Sequence, residues 1–128
     1  MNILLDTHVL LWALSAPQRI SPRVARALED PANRVVVSAV SAIEIAIKQS
    51  LDKIELPGPA ESWLEPALLE VGFETISLDF RDALLVRTLP WHHRDPFDRL
   101  LIAQAMRGYT LCTHDERIQA YGVEVLRA

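Results

Sequence analysis

Short apolar runs alternate with longer segments of helical periodicity along this chain of 128 residues. The apolar runs within 2–6 and 34–38 each predict a short buried strand, and the second is rich in β-branched valine. Further strands are expected over 73–78, 109–113 and 123–126. Helices are expected over 7–13, 22–30, 60–71, 79–89 and 96–107, with another from Ser38 or Ser41 to about 51 and a short one after residue 115. Strands that alternate with helices predict a parallel sheet covered on both faces.

Capping residues mark several of the expected helix ends. Ser21 and Asp95 each precede a proline, which is typical of a helix start, and Gly72 and Gly108 follow helical segments that they can end. The helix after the second strand carries an apolar stripe at helical spacing, formed by Val40, Ile43, Ile47 and Leu51. Because that helix has few polar residues besides, we expect it to be mostly buried.

The composition is that of one globular domain spanning 1–128, since 50% hydrophobic residues suffice for a sizeable core. Asp6 and His8 interrupt the apolar opening segment, which is therefore predicted to be neither a signal peptide nor a membrane span. We expect a cytoplasmic protein with no membrane association. The net charge of −4 argues mildly against a protein that coats nucleic acid, although four metal-bound acids would leave the remainder near neutral.

Four acids stand where strands end or helices begin: Asp6, Glu44, Asp98 and Asp115. Asp6 follows the first strand and Asp115 follows the strand at 109–113, and right-handed crossovers bring the carboxyl ends of parallel strands to one edge of the sheet. Two helices can add Glu44 and Asp98 beside them. Because four gathered carboxylates repel one another unless a cation lies between them, the pattern predicts metal-dependent chemistry on a phosphate ester.

Asp6 and Glu44 also have structural interpretations. Asp6 could cap the helix that follows it, although Thr7 is placed to cap that helix equally well. Glu44 fits a capping box that begins at Ser41, and it also fits an ion pair with Lys48 one turn later. Against these interpretations, a carboxylate in such an apolar helix is expected to be half-buried and to need a partner.

For each of the other two acids, nearby residues can form the helix cap instead. Asp95 suits the cap of the helix at 96–107, which leaves Asp98 on the inward face of that helix as the functional acid. Thr113 and Glu116 fit a capping box after the strand at 109–113, which leaves Asp115 free at the strand tip.

Histidine and cysteine give no indication of zinc. The four histidines, His8, His92, His93 and His114, lack the helical spacing of a zinc protease, and a histidine in a loop is more often neither ligand nor base. The lone Cys112 excludes a cysteine zinc site and is expected to be a buried small apolar residue.

The segments that hold the acids resemble the PIN-domain ribonucleases and, more narrowly, the VapC toxins of bacterial toxin–antitoxin pairs. The matching segments are LLDTH at 4–8, SAVSAIEIAIK at 38–48, HRDPFDRLLIAQA at 93–105 and THD at 113–115. The resemblance implies a three-layer α/β/α sandwich around a parallel sheet of four or five strands. It implies Mg²⁺ or Mn²⁺ held by Asp6, Glu44, Asp98 and Asp115, and a supporting role for Thr113.

The resemblance also implies cleavage of structured RNA, such as transfer or ribosomal RNA, by a homodimer that a VapB-like antitoxin inhibits. Because Mg²⁺ takes only one or two direct carboxylates, we expect Asp6 and Asp98 nearest the ion, with Glu44 and Asp115 holding waters or a second ion. A metal-activated water would attack phosphorus. The cations that could contact the RNA backbone are Arg99, Arg94 and Lys48.

Three other functions remain open at this point. A small-molecule phosphohydrolase could use the same acidic site. A phosphoryl-receiver-like module would need a second acid beside Asp6 and a late lysine, neither of which is present. A PIN fold that only binds a partner is disfavoured because all four acids are kept. The target RNA, the antitoxin's identity and the number of metal ions cannot be read from the sequence.

Overall fold

The computed structural model describes residues 1–128 and contains a five-stranded parallel sheet in the order β3-β2-β1-β4-β5. The strands are β1 (Asn2–Leu5), β2 (Arg34–Ser38), β3 (Glu74–Ile76), β4 (Thr110–Thr113) and β5 (Val125–Arg127). The helices are α1 (Thr7–Ser15), α2 (Pro22–Glu29), α3 (Ala39–Ser50), α4 (Ala60–Val71), α5 (Phe80–Leu85) and α6 (Pro96–Ala105). Short 3₁₀ turns occupy Pro17–Arg19, Val86–Thr88 and Glu116–Tyr121. The predicted alternation of strands and helices is confirmed.

The sheet has a separate apolar core on each face because successive strand residues point to opposite sides. Ile3 and Leu5 of β1 pack in a core shared with α1, α2 and α4, whereas Leu4 packs in a core shared with α6. All three side chains are fully buried, as a strand covered on both faces requires. The three-layer α/β/α sandwich is therefore confirmed.

The strand order places a crevice at the carboxyl end of β1. The chain passes from β1 outward through β2 to β3 and then returns to the other side of β1 to form β4. Connections that leave neighbouring strands in opposite directions separate at the carboxyl edge, which is where open α/β sheets bind ligands. Asp6 and Thr113 mark this edge, since the first follows β1 and the second ends β4.

The prediction that α3 is mostly buried was wrong. Of that stripe only Val40 is buried, while Ile43, Ile47 and Leu51 are 45%, 44% and 57% exposed. The face that α3 turns inward instead includes Ser41, Glu44 and Ile45. Periodicity shows which residues share a helix face, but it does not show whether that face meets the protein's own core or is left for another surface.

No helix combines the length and the apolar character that crossing a membrane requires.

Candidate functional site

An open polar cavity of about 550 Å³ lies at the carboxyl ends of β1 and β4. Its lining residues are Asp6, His8, Trp91, His92, His93, Arg94, Asp95, Asp98, His114, Asp115 and Arg117. Three of the four acids singled out in the sequence therefore meet in one cavity. The fourth, Glu44, lies outside this lining and is discussed below.

Asp6 serves as a helix cap and as a cavity acid at the same time. Its Oδ1 accepts a hydrogen bond from the backbone N–H of Val9 at 2.8 Å, so Asp6 and not Thr7 caps α1. Thr7 was expected to be an equal alternative, but its hydroxyl donates to Ser41 Oγ at 2.9 Å and joins α1 to α3. Burial raises the pKa of Asp6, while hydrogen bonds from Thr113 and Val9 oppose that rise. A cap that also faces a cavity explains why Asp6 is not redundant.

Asp98 lies one turn into α6, and its environment is the most electrostatically unfavourable of the four acids. Asp95 caps α6, as predicted, because its Oδ1 accepts from the N–H groups of Phe97 and Asp98 at 2.8 and 3.2 Å. The carboxyl of Asp98 is left for the cavity. Its pKa is raised to about 7, first by burial and then by the charges of Asp95, Asp6, Glu44 and Asp115. The field of all three other predicted site acids is therefore felt at this one carboxyl.

Glu44 is placed beside the cavity and not on its surface. It is 3% exposed, and its Oε2 accepts from Lys48 Nζ at 2.6 Å. The ion pair with Lys48 was anticipated, but the capping box with Ser41 is not formed. The reason is that α3 begins earlier, with Ser38 as its cap accepting from the N–H of Val40 at 3.0 Å. Glu44 thus acts on the site electrostatically, because its charge contributes to the raised pKa of Asp98.

Asp115 was expected to be free, and that prediction was wrong. It caps the 3₁₀ turn at Glu116–Tyr121 by accepting from the N–H of Arg117 at 3.0 Å. The Arg117 guanidinium also donates to both carboxylate oxygens, at 3.1 and 2.9 Å. Hydrogen bonding from Arg117 is the main reason that the pKa of Asp115 lies well below its usual range. Thr113 forms no capping box with Glu116, and its Oγ1 accepts from the N–H of Asp115 at 3.1 Å.

His93 is the site residue that the sequence interpretation missed. This residue is 4% exposed, and its Nε2 lies 2.8 Å from Asp115 Oδ2 and 3.1 Å from Asp98 Oδ2. The sequence interpretation expected this histidine to be neither ligand nor base. Its position two residues before the α6 cap was the one available signal, since it places the ring near the start of the helix that carries Asp98.

Arg99 does not face the cavity, which corrects the prediction that it could contact RNA. The side chain is 2% exposed, and its two terminal nitrogens donate to the main-chain oxygens of Val86, Leu89, Pro90 and His93 at 2.9 to 3.3 Å. Its guanidinium also lies 3.7 Å from the ring centroid of Trp91. Arg99 therefore fixes the segment that leads into the cavity and cannot reach a phosphate from this position.

Exposed aromatic and cationic groups form the rim of the cavity. Trp91 is 71% exposed, and His92, Arg94 and Arg117 are exposed as well. The ring of His114, another lining residue, lies 5.6 Å from that of His8 and 4.8 Å from that of Trp12. The cavity thus combines an acidic floor with a rim of rings and positive charges.

The donor set suits a hard divalent cation. Asp6, Asp98 and Asp115 offer carboxylate oxygens, and polar atoms of His93, Asp98 and Asp115 lie within 4.8 Å of one another. The raised pKa of Asp98 indicates that nearby acids leave negative charge at this carboxyl, which a bound cation would offset. Oxygen ligands of this kind fit Mg²⁺ or Mn²⁺.

The sheet order and the acids at its switch point define an α/β domain whose acidic cavity is suited to a divalent metal. The chain belongs to the PIN-domain family, because the model of that family, described as "PIN domain", matches residues 3–124. It is 34% identical over 122 residues to Ribonuclease VapC22 of Mycobacterium tuberculosis, a match that covers 94% of this chain and 92% of that protein. The resemblance inferred from four sequence segments is confirmed.

Solved structures with the same fold include VapBC2 from Rickettsia felis bound to a DNA fragment from its promoter. That chain has a TM-score of 0.74 and 16% identity, with 99% of this chain and 98% of that one covered. FitAB bound to a DNA fragment gives a TM-score of 0.62 at 22% identity, covering 98% and 94%. FitAcB from Neisseria gonorrhoeae gives 0.60 at 23%, covering 98% and 96%.

Proposed function

We propose that this protein is a divalent-metal-dependent endoribonuclease, folded as one PIN domain over 1–128, and the toxin of a toxin–antitoxin pair. One observation carries the nuclease assignment: Asp6, Asp98 and Asp115 line a single cavity. The charge of Glu44, which lies beside that cavity, acts on Asp98. Carboxylates gathered in this way stabilise a bound cation and are costly without one. The similarity to a protein named as a ribonuclease gives independent support.

Each acid has a role in this proposal that follows from its surroundings. Asp6 and Asp98 would hold Mg²⁺ or Mn²⁺ directly, and Asp115 would complete the site from the β4 side. Glu44 would act through its charge or a bound water, because Lys48 already occupies one of its oxygens. Thr113 would orient Asp6 by its hydroxyl and Asp115 by its contact with the backbone. When bound, the ion supplies a water of lowered pKa and offsets charge on the phosphate.

The rim of the cavity supports RNA as the substrate over a small phosphate ester. Exposed rings such as Trp91 and His92 are surfaces on which unpaired bases stack, and Arg94 and Arg117 can contact the phosphate backbone. A small-molecule phosphohydrolase usually encloses its ligand, whereas this cavity is open to solvent along its rim. The phosphohydrolase is kept as the alternative that the first experiment tests.

The experiment compares Asp6→Asn and Asp98→Asn with Asp79→Asn after the metal has been removed and Mn²⁺ or Mg²⁺ restored. Asp79 is the matched control because it caps α5 and is absent from the cavity lining. Cleavage of a labelled pool of structured RNA is measured beside hydrolysis of a phosphomonoester. We expect a loss of at least about 100-fold for the two cavity variants and less than about twofold for the control.

Wild-type cleavage rates in Asp98→Asn, in a preparation free of other nucleases, would reject the nuclease assignment. Turnover of the phosphomonoester without RNA cleavage would favour the alternative. Sequencing of RNA ends would then identify the bond that is cut.

The proposal includes a homodimer and a VapB-like antitoxin as protein partners. The exposed residues Ile43, Ile47 and Leu51 support this part, because contiguous exposed apolar side chains are typical of surfaces that another protein covers. The solved relatives named VapBC2 and FitAB are consistent with a two-protein system.

The oligomeric part is tested by Ile47→Glu, with Leu69→Glu as the control on another exposed apolar side chain. Light scattering is expected to show a dimer for the wild type and for Leu69→Glu and a monomer for Ile47→Glu. A dimer that survives Ile47→Glu would place the interface elsewhere.

A further inference from the structure

His93 touches two of the four acids, and these come from different parts of the chain. Its Nε2 hydrogen-bonds to Asp115 Oδ2 at 2.8 Å and lies 3.1 Å from Asp98 Oδ2. Asp98 belongs to α6 and Asp115 follows β4, so nothing in the local backbone fixes the separation of the two carboxylates. Like charges repel, and the imidazole of His93 is a side chain that contacts both carboxylates.

The tautomer of His93 follows from the hydrogen bond on the other side of its ring. The backbone N–H of Asp95 points at Nδ1 from 3.1 Å. A backbone N–H can only donate, so Nδ1 must present a lone pair. A ring with a lone pair on Nδ1 carries its proton on Nε2, which therefore donates towards the carboxylates. In this tautomer Nε2 has no lone pair for a metal, and His93 is not a metal ligand.

The main chain of His93 is held as firmly as its ring. Its N–H donates to Tyr121 Oη at 2.9 Å, and its carbonyl oxygen accepts from Arg99 at 3.3 Å. Tyr121 Oη in turn donates to the Pro90 carbonyl oxygen at 2.8 Å. The α6 cap residue Asp95 and Tyr121 of the 3₁₀ turn after β4 therefore both fix the orientation of the His93 ring. The carboxyl of Asp98, by contrast, makes no side-chain hydrogen bond or ion pair with a residue other than His93.

We propose that His93 is a positioning residue, which donates from Nε2 so that the carboxylates of Asp98 and Asp115 stay together and meet a divalent ion as a pair. The inference rests on the proposed metal-dependent nuclease and assigns to it a residue that acts through the metal-binding acids. Loss of such a hydrogen-bonding partner of a ligand typically weakens metal binding about 10- to 100-fold. His93 makes no contact with substrate in this role.

Two substitutions separate this role from a purely structural one. In His93→Gln the side-chain amide reaches the place of Nε2 and can donate to Asp115, but it does not replace Nδ1. In His93→Asn the shorter side chain can accept from the N–H of Asp95 but does not reach the carboxylates. His93→Ala removes both contacts. If His93 only holds its loop, His93→Asn should bind Mn²⁺ more tightly than His93→Gln does. The proposed role predicts the reverse order.

The first measurement is a calorimetric titration of metal-free protein with Mn²⁺, with thermal melting to confirm that each variant is folded. We expect Mn²⁺ to bind about 10- to 100-fold more weakly to the Ala and Asn variants, and the Gln variant to recover most of that loss. RNA cleavage should follow the same order. Wild-type affinity in the Ala variant, or a better recovery by Asn than by Gln, would overturn the proposal.

The second measurement is independent of metal binding. A long-range proton–nitrogen NMR spectrum of the metal-free wild type should show His93 protonated on Nε2 and bare on Nδ1, and addition of Mg²⁺ should leave that pattern unchanged. A proton on Nδ1 after Mg²⁺ is added would make His93 a ligand and refute the proposal. If the wild type binds no Mn²⁺ at all, the proposed nuclease site fails, while the spectrum still decides which way His93 donates.

Discussion

Two adjacent residues of α6, Asp98 and Arg99, carry ionisable groups that have opposite electrostatic surroundings. Arg99 is buried among acceptors, since four main-chain oxygens and the Tyr121 hydroxyl receive hydrogen bonds from its two terminal nitrogens, and only its Nε lacks a partner. Asp98 is partly buried among other acids, and their charges add to burial in raising its pKa to about 7. The first region is electrostatically compensated and the second is not.

The difference separates stability from function. A buried cation whose donors are nearly all used stabilises the segment around it, so we assign Arg99 a structural role. A carboxyl whose pKa is raised by burial and by nearby acids destabilises the fold, and such groups are found where a ligand supplies the missing charge. Arg99 thus stabilises the fold and Asp98 serves the proposed site, because α6 directs the two side chains towards different surroundings.

The largest effect is expected where the compensated region is broken. Arg99→Met should lower the free energy of unfolding by about 3 kcal/mol, because several buried carbonyl oxygens lose their donors. Arg99→Lys should recover little, since a single ammonium cannot reproduce the planar fork. Urea unfolding checks both, with the exposed Arg87→Met as the control. A loss below about 0.5 kcal/mol would show that the carbonyls find other donors.

Addition of a divalent metal should offset the negative charge around Asp98 and so stabilise the folded protein. Mn²⁺ at about one hundred times its dissociation constant is expected to stabilise the wild type by about 2.7 kcal/mol, and Asp98→Asn should lose most of that gain. Thermal melting with and without EDTA measures it. An equal shift in wild type and Asp98→Asn would mean that the ion binds somewhere other than this cavity.

The smallest of these effects is the pH dependence of the metal-free protein. Because the pKa of Asp98 is raised from 3.8 to about 7, the folded state keeps a proton that the unfolded chain has already released between those values. Stability should therefore fall as pH rises from about 4 to 7. A pKa change of this size corresponds to about 4 kcal/mol for a fully shielded group, and screening by solvent at the open cavity should reduce the loss to the order of 1 kcal/mol. The raised pKa of Asp6 acts in the same direction.

Asp115 acts in a different pH window. Its pKa is lowered, so its contribution is present above the unfolded value and is lost only at lower pH. Asp98→Asn should flatten the decline between pH 4 and 7 and make the metal-free protein more stable at pH 8. Melting curves over that range in EDTA decide the point, and an unchanged slope in Asp98→Asn would contradict it.

The sequence by itself determined the fold and the meeting of three of the four acids. Apolar runs that end in Asp6 and Thr113 indicate buried parallel strands, and the handedness of crossovers brings their ends to one edge. The α6 start was also readable, because Asp95 and Pro96 form a local capping signal. Each of these features depends on neighbours within a few residues or on a general rule of chain topology.

Only the tertiary structure decided what each side chain meets. Asp115 lies 22 residues from His93, and the acceptors of Arg99 lie in an irregular segment that no periodicity describes. The same limit explains α3, whose stripe was recognised but whose exposed side was not. Helical and strand periods fix the direction in which a side chain points from its own element. The partner it finds there is set by packing between elements far apart in the sequence.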